Sequence, residues 1–279
     1  MRVDAHQHYW HFNPVRDAWI GDSMRVLRRD FLPKHVAAER AAARIDAVVA
    51  VQADQSERET DFLLALSRLD PSIRGVVGWV DLRADNLAER IARWRHYRQL
   101  KGFRHIAQAE ADDFLLQPQI VGGVQQLGAL GFSYDLLVYP KQLAAAEMLV
   151  AECGDTSFVL DHAGKPPIAS GDHTEWAREL RAIAKHPNVT CKVSGLVTEA
   201  SWTSWTPEQL VPVLDTIAES FGTDRLMFGS DWPVCLVAAK YARVYEVVAS
   251  WAARLASSEQ QQLFGDTAAR VYRLREHET

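Results

Sequence analysis

Two histidines one residue apart, His6 and His8, follow the short run Val3-Asp4-Ala5 near the start of the 279-residue sequence. In an extended strand residues i and i+2 face the same way, so the two imidazoles enter one space side by side. That is a chelating arrangement. Imidazole suits Zn²⁺ and similar borderline metals, and a third ligand from a distant segment would complete an open catalytic site. Two histidines satisfied by hydrogen bonds at the mouth of a fold give the same pattern. Further along, VLDHAGKP carries Asp161 and His162, and FGSDWP carries Ser230 and Asp231 just before Trp232-Pro233, a pair that resists continuation of regular structure. A carboxylate at such a strand end can take a proton from water, or cap a following helix. Together His6, His8, His162 and Asp231 supply three imidazoles and one carboxylate that can converge on one metal or one water.

Such convergence requires a scaffold that gathers strand ends. Apolar runs of strand length recur at 2–6, 46–52, 74–80, 100–105, 133–138, 157–162, 189–195 and 226–231. Between them, stretches such as 57–69, 86–99, 119–130, 141–152, 174–186 and 207–220 repeat apolar residues at the three- and four-residue spacing of a core-facing helix. The near-continuous run Ala47-Val48-Val49-Ala50-Val51 suits a parallel sheet covered on its outer face, and parallel strands need crossovers of this length. Eight β/α units closing on themselves, an α/β fold of the TIM-barrel type, is the economical architecture. No Pro/Gly/Ser-rich linker divides the chain, so one domain is expected over 1–279. In such a barrel the active site collects at the C-terminal strand ends. There the pattern places His6, His8, Gln52, Arg104, His105, Tyr139, Asp161, His162, Ser194, Ser230 and Asp231. The long segment 7–34, with Tyr9, Trp10 and Trp19, falls at the same end.

Bulk properties narrow the partners. The formal net charge is -5 and basic residues are dispersed, which argues against nucleic acid. The run Arg90, Arg93, Arg95, Arg98 reads as a solvated helix face. Three scattered cysteines, Cys153, Cys191 and Cys235, form no disulfide framework and fit a reducing cytoplasm. No leader precedes the first strand and no apolar run approaches the ~20 residues of a membrane span, so neither export nor membrane insertion is expected. A monomer or homodimer acting on a small molecule remains.

At VDAHQHYW, KGFRH, LDHAGKP, KVSGL, FGSDWP and FGDTAARVYRL, in that order from residue 3 to 274, the sequence resembles the amidohydrolase superfamily and, within it, the lactonase-rich branch labelled amidohydrolase 2. The resemblance implies a single distorted (β/α)₈ barrel whose catalytic centre is His6, His8, His162 and Asp231, with Asp231 as general base. It implies opening of a sugar-acid lactone such as L-fuconolactone or L-rhamnonolactone, or of an aromatic-degradation lactone of the pyrone dicarboxylate or muconolactone type. A metal-dependent decarboxylase of the same superfamily shares the His-x-His and the late aspartate. A non-catalytic barrel that binds a sugar acid is the reading from another class.

Much of that superfamily bridges two metals with a carboxylated lysine at the end of strand four. Here the strand ends Phe103-Arg104-His105 and Lys101 stands at its start, so the expected cofactor is one divalent cation, Zn²⁺, on His6, His8, His162 and Asp231. Thr267 stands where Asn is common, at a position whose expected role is structural. Dicarboxylate lactones call for several guanidinium forks. The strand ends offer Arg104 and Lys165 beside neutral Gln52, Tyr139 and Ser194, which suits a polyol lactone better. Either cation also fits a plain salt bridge. Trp232, with Trp10 and Trp79, can cover the apolar face of a deoxysugar, or simply pack.

Overall fold

The computed structural model describes residues 1–274; the last residues of the domain expected over 1–279 lie outside it. Eight parallel strands pair in sequence order: β1 (Val3–Gln7), β2 (Ala47–Val51), β3 (Ile73–Gly78), β4 (Leu100–His105), β5 (Ser133–Leu136), β6 (Ser157–Leu160), β7 (Val189–Val193) and β8 (Leu226–Phe228). Helices cover their outer face: α1 (Ala37–Ala42), α2 (Glu57–Leu69), α3 (Leu87–Ala92), α4 (Pro118–Ala129), α5 (Leu143–Glu152), α6 (Thr174–Ile183), α7 (Pro207–Phe221) and α8 (Tyr241–Ala252). This is the expected TIM-barrel fold, and it is distorted at one seam. No ladder joins β8 to β1. Closure rests on a bridge at Gln7 and Trp232, where His8 N–H bonds the Trp232 carbonyl at 2.7 Å, on Asp231 N–H to the His6 carbonyl at 2.9 Å and on Ser230 N–H to Asp4 Oδ1 at 2.8 Å.

Alternation sorts the strands into two cores. Val48, Ala50, Tyr134, Leu136 and Phe158 face the helices, whereas Val3, Ala5, Val49, Val51, Val77, Val159 and Met227 fill the barrel with Ala268, Tyr272 and Leu274 from the C-terminal segment. Strict alternation after Val3 and Ala5 would send His6 outward. A register irregularity between Asp4 and Gln7 turns it inward instead, as bulges do.

The expected strands at 157–162, 189–195 and 226–231 overrun. Their last residues leave the ladder, and Asp231, His162 and Ala163 adopt positive φ. The helix expected over 86–99 ends at Ala92; beyond it Trp94 and Tyr97 make i to i−3 bonds, and the Trp94 indole donates to Asp61 at 2.6 Å. The arginine run is not merely solvated. Arg90 and Arg93 pair with Glu57 at 2.7 and 2.8 Å, while Arg95 and Arg98 are exposed. Thr267 donates to the Asp224 carbonyl at 3.1 Å, tying the C-terminal helix to the β8 approach.

Ser56 caps α2 by accepting from Glu59 N–H at 3.2 Å, and this seats the Glu59 side chain in the core beside Ala53. Burial, reinforced by Asp54 and Asp17 and only partly offset by the Ala53 N–H bond and Arg16, pushes that carboxyl up to about 7 from an ordinary 4.5. The folded state therefore holds the proton more tightly, so Glu59 favours folding below pH 4.5 and this contribution is lost as pH rises through 7. Glu59→Gln is expected to gain about 1–3 kcal/mol on the wild type between pH 5 and pH 8, read from urea unfolding at both.

Candidate active site

Every strand-end residue singled out above lies at one mouth of the barrel, and four are brought together. His6 Nε2 and His8 Nε2 stand 3.1 Å apart, and Asp231 Oδ1 lies 3.5 Å from the second and 3.9 Å from the first. His162 Nε2 is 4.0 Å from the same oxygen. All four side chains are buried.

Hydrogen bonds fix what the imidazoles offer. His8 Nδ1 lies 2.8 Å from the Val51 carbonyl, which can only accept, so Nδ1 carries the proton and Nε2 presents a lone pair. His6 Nδ1 faces Asp161 Oδ1 at 3.4 Å, and Arg104 Nη1, which can only donate, lies 3.4 Å from Nε2, so Nε2 is again an acceptor. Two lone pairs and a carboxylate oxygen thus point at one another with no proton between them, an arrangement that a cation resolves. Ligand atoms on a tetrahedral zinc would be roughly 3.3 Å apart, and the three distances bracket that value. Burial holds His6 well below the usual histidine range and His162 down to about 4, so both stay neutral. At Asp231 burial opposes ionisation, but the surrounding imidazoles, His162 foremost, outweigh it and hold the carboxyl below its usual range.

A second grouping, His6, Asp161 and His162, has ligand-like spacing but a different electrostatic character. Asp161 is already paired with Arg104 Nη1 at 2.8 Å and Lys192 Nζ at 2.9 Å, and Lys192 holds it ionised in spite of burial. A metal there would meet two fixed cations. Beneath the site Lys192 also binds Asp135 at 2.7 Å, and Tyr272 donates to Asp135 at 2.6 Å. A charged layer of Arg104, Asp161, Lys192 and Asp135 therefore separates the metal-type cluster from the apolar barrel floor.

The six residues expected to touch substrate divide. Gln52, Arg104 and Ser194 line the centre: Gln52 Nε2 donates to the Arg104 carbonyl at 3.0 Å, Arg104 donates back to the Gln52 carbonyl, and Ser194 Oγ is 2.9 Å from His162 Nδ1. Lys165 and Tyr139 lie at the rim, with Lys165 Nζ 5.8 Å from the Tyr139 ring centre and 2.7 Å from Glu199. Trp232 is buried with its ring edge-on to Phe31, in a cluster with Tyr9. Trp10 packs on Phe31 as well, and Trp79 donates to His105 Nδ1 at 3.3 Å.

The backbone supplies the final adjustment. His162 and Ala163 have left-handed φ of 53° and 50°, Gly164 and Lys165 continue at 68° and 56°, and Asp231 stands alone at 57°. Such non-glycine conformations cost of order 1 kcal/mol or more each and cluster where geometry matters to function. Gly195 (φ +64°) leaves room for the His162 ring: a Cβ there would sit 2.6 Å from Nδ1. Gly195→Ala is expected to displace that ring and lower kcat about 10²-fold. Steady-state kinetics, with a melting curve to show that the fold persists, checks it.

A barrel with a His-x-His on β1 and an aspartate after β8 defines a class. The amidohydrolase family model matches residues 3–274, and the chain belongs to that family. An L-fucono-1,5-lactonase from Burkholderia multivorans is 44% identical over 99% of this chain and 97% of its own. Another from Burkholderia ambifaria is 32% identical over 98% and 96%. The crystal structure of an amidohydrolase from B. multivorans with bound Zn superposes with a TM-score of 0.96 at 44% identity, covering 99% of this chain and all of that one.

Proposed function

We propose that this chain hydrolyses an uncharged sugar-acid lactone of the L-fucono-1,5-lactone type to the free acid, at a single zinc held by His6, His8 and Asp231. The observation that carries the reading is the convergence of three protonless acceptors across the β1–β8 seam. The activity of the B. multivorans and B. ambifaria relatives and the zinc in the related crystal structure support it. When bound, the cation acidifies a water and polarises the ester carbonyl.

The chain's own residues supply the rest. Asp231 accepts the proton from the water that attacks the lactone carbonyl carbon. The ring C–O bond then breaks and the proton passes to the departing ring oxygen, so one water is consumed and one hydroxy acid forms. In the tautomer in which Ser194 Oγ, 2.9 Å away, donates to His162 Nδ1, Nε2–H holds the carbonyl oxygen as negative charge develops. Gln52 and Arg104 fix the wall against which the ring lies.

Among the described residues no helix is long and apolar enough to cross a membrane. Three buried thiols accord with a reducing cytoplasm. A pH-indicator screen of aldonolactones, muconolactone and pyrone dicarboxylate, with the protein chelated and then reloaded with Zn²⁺, tests the proposal. Turnover of neutral aldonolactones that falls on chelation and returns with zinc is expected. Exclusive turnover of the dicarboxylate, or carbon dioxide release without lactone opening, would overturn it.

A further inference from the structure

The strand ends offer two cations to a substrate, and both are committed elsewhere. Arg104 is paired with Asp161 inside the barrel. Lys165 closes the left-handed turn that begins at His162, its N–H bonded to the His162 carbonyl at 2.8 Å, and its ammonium stands at the rim over the Tyr139 ring, near enough for its charge to act on His162. That ammonium would be the natural handle for a substrate carboxylate. Instead it is held by Glu199 Oε1 at 2.7 Å, in a pair whose side chains are 15% and 20% exposed. Glu199 comes from the segment after β7 that also provides Ser194 and Gly195, so the pair spans the two loops that place His162.

We propose that Glu199 is a specificity-determining residue: by neutralising Lys165 at the rim, it favours uncharged lactones over lactones bearing a free carboxylate, and it lets the acid product leave. The inference rests on the lactonase reading above. An aldonolactone is uncharged and its hydrolysis product is a carboxylate, so an unneutralised ammonium at the rim of the site would bind product better than substrate. The pair also presents hydroxyl groups with a donor and an acceptor, which suits a polyol ring.

Glu199→Gln keeps the shape and frees the cation. One charge released in a partly sheltered rim is expected to change affinity for an anion about ten-fold. Calorimetry with an aldarate dianion should show about ten-fold tighter binding to E199Q than to the wild type, with the gain shrinking as salt is added. In turnover, kcat/KM for a carboxylate-bearing lactone should rise through KM relative to an uncharged aldonolactone, and inhibition by the aldonate product should strengthen. The double variant Lys165→Met/Glu199→Gln should lose the gain. A gain in affinity cannot come from misfolding, so these readouts separate specificity from a structural tie between loops. Unchanged aldarate binding in E199Q, or a gain that survives removal of Lys165, would sink the proposal whatever the turnover results. Failure of the wild type to open any lactone, with tighter aldarate binding in E199Q, would sink the functional reading alone.

Discussion

Asp231→Asn is expected to lower kcat for lactone hydrolysis by about 10³- to 10⁴-fold, with kcat/KM falling in step. The asparagine keeps the shape of the carboxylate and can still present an oxygen toward His8 Nε2, 3.5 Å away in the native site. It cannot accept the proton of the attacking water. Position 231 has φ 57°, a conformation that Asn tolerates as readily as Asp, so the substitution adds no backbone penalty that alanine would bring. Kinetics on the neutral aldonolactone, paired with a metal assay and a melting curve, separates the chemistry from the scaffold. Full turnover in D231N would remove Asp231 from the role of base.

The largest loss of stability is expected from Lys192→Met. Lys192 is wholly buried, and its ammonium meets Asp135 at 2.7 Å and Asp161 at 2.9 Å. Its removal leaves two carboxyls in the barrel with Arg104 as the remaining cation. Breaking a buried pair on one side costs about 3–5 kcal/mol, because an uncompensated charge stays behind. Part of that cost is relieved by protonation of Asp135, whose carboxyl burial already pushes up. Urea unfolding should show the loss, and the double variant Lys192→Met/Asp135→Asn should recover part of it. A single variant as stable as the wild type would mean that the charged layer contributes nothing to the fold.

These two residues differ in how far the sequence announces them. Asp231 stands in FGSDWP, where a strand-like run stops at a Trp-Pro pair, and His6, His8 and His162 stand at comparable stops. The order and parallel arrangement of the strands were legible from recurring apolar runs, because each strand buries both faces. Nothing in the pattern singles out Lys192 and Asp135. A charged residue inside a strand reads as solvent-facing, and only its period-two relation to Ser194 could have placed Lys192 inside. The apolar pattern overextends the strand ends because left-handed backbone at His162 and Asp231 has no signature in side-chain pattern. The inward turn of His6 depends on an irregularity between Asp4 and Gln7 that alternation alone would not give. Glu199 gave no signal either, since its partner comes from another loop.

The β1–β8 seam makes the barrel a hoop with one loose joint, held by a few hydrogen bonds around the Gln7–Trp232 bridge in place of a ladder. The proposed zinc ligands stand on either side of that joint, His6 and His8 on one edge and Asp231 on the other. An ion bound there would work as a clasp, so the catalytic centre and the mechanical closure of the molecule would be one object. Amide exchange in the first and last strands should then be the earliest to quicken when the metal is stripped, well before the rest of the hoop opens.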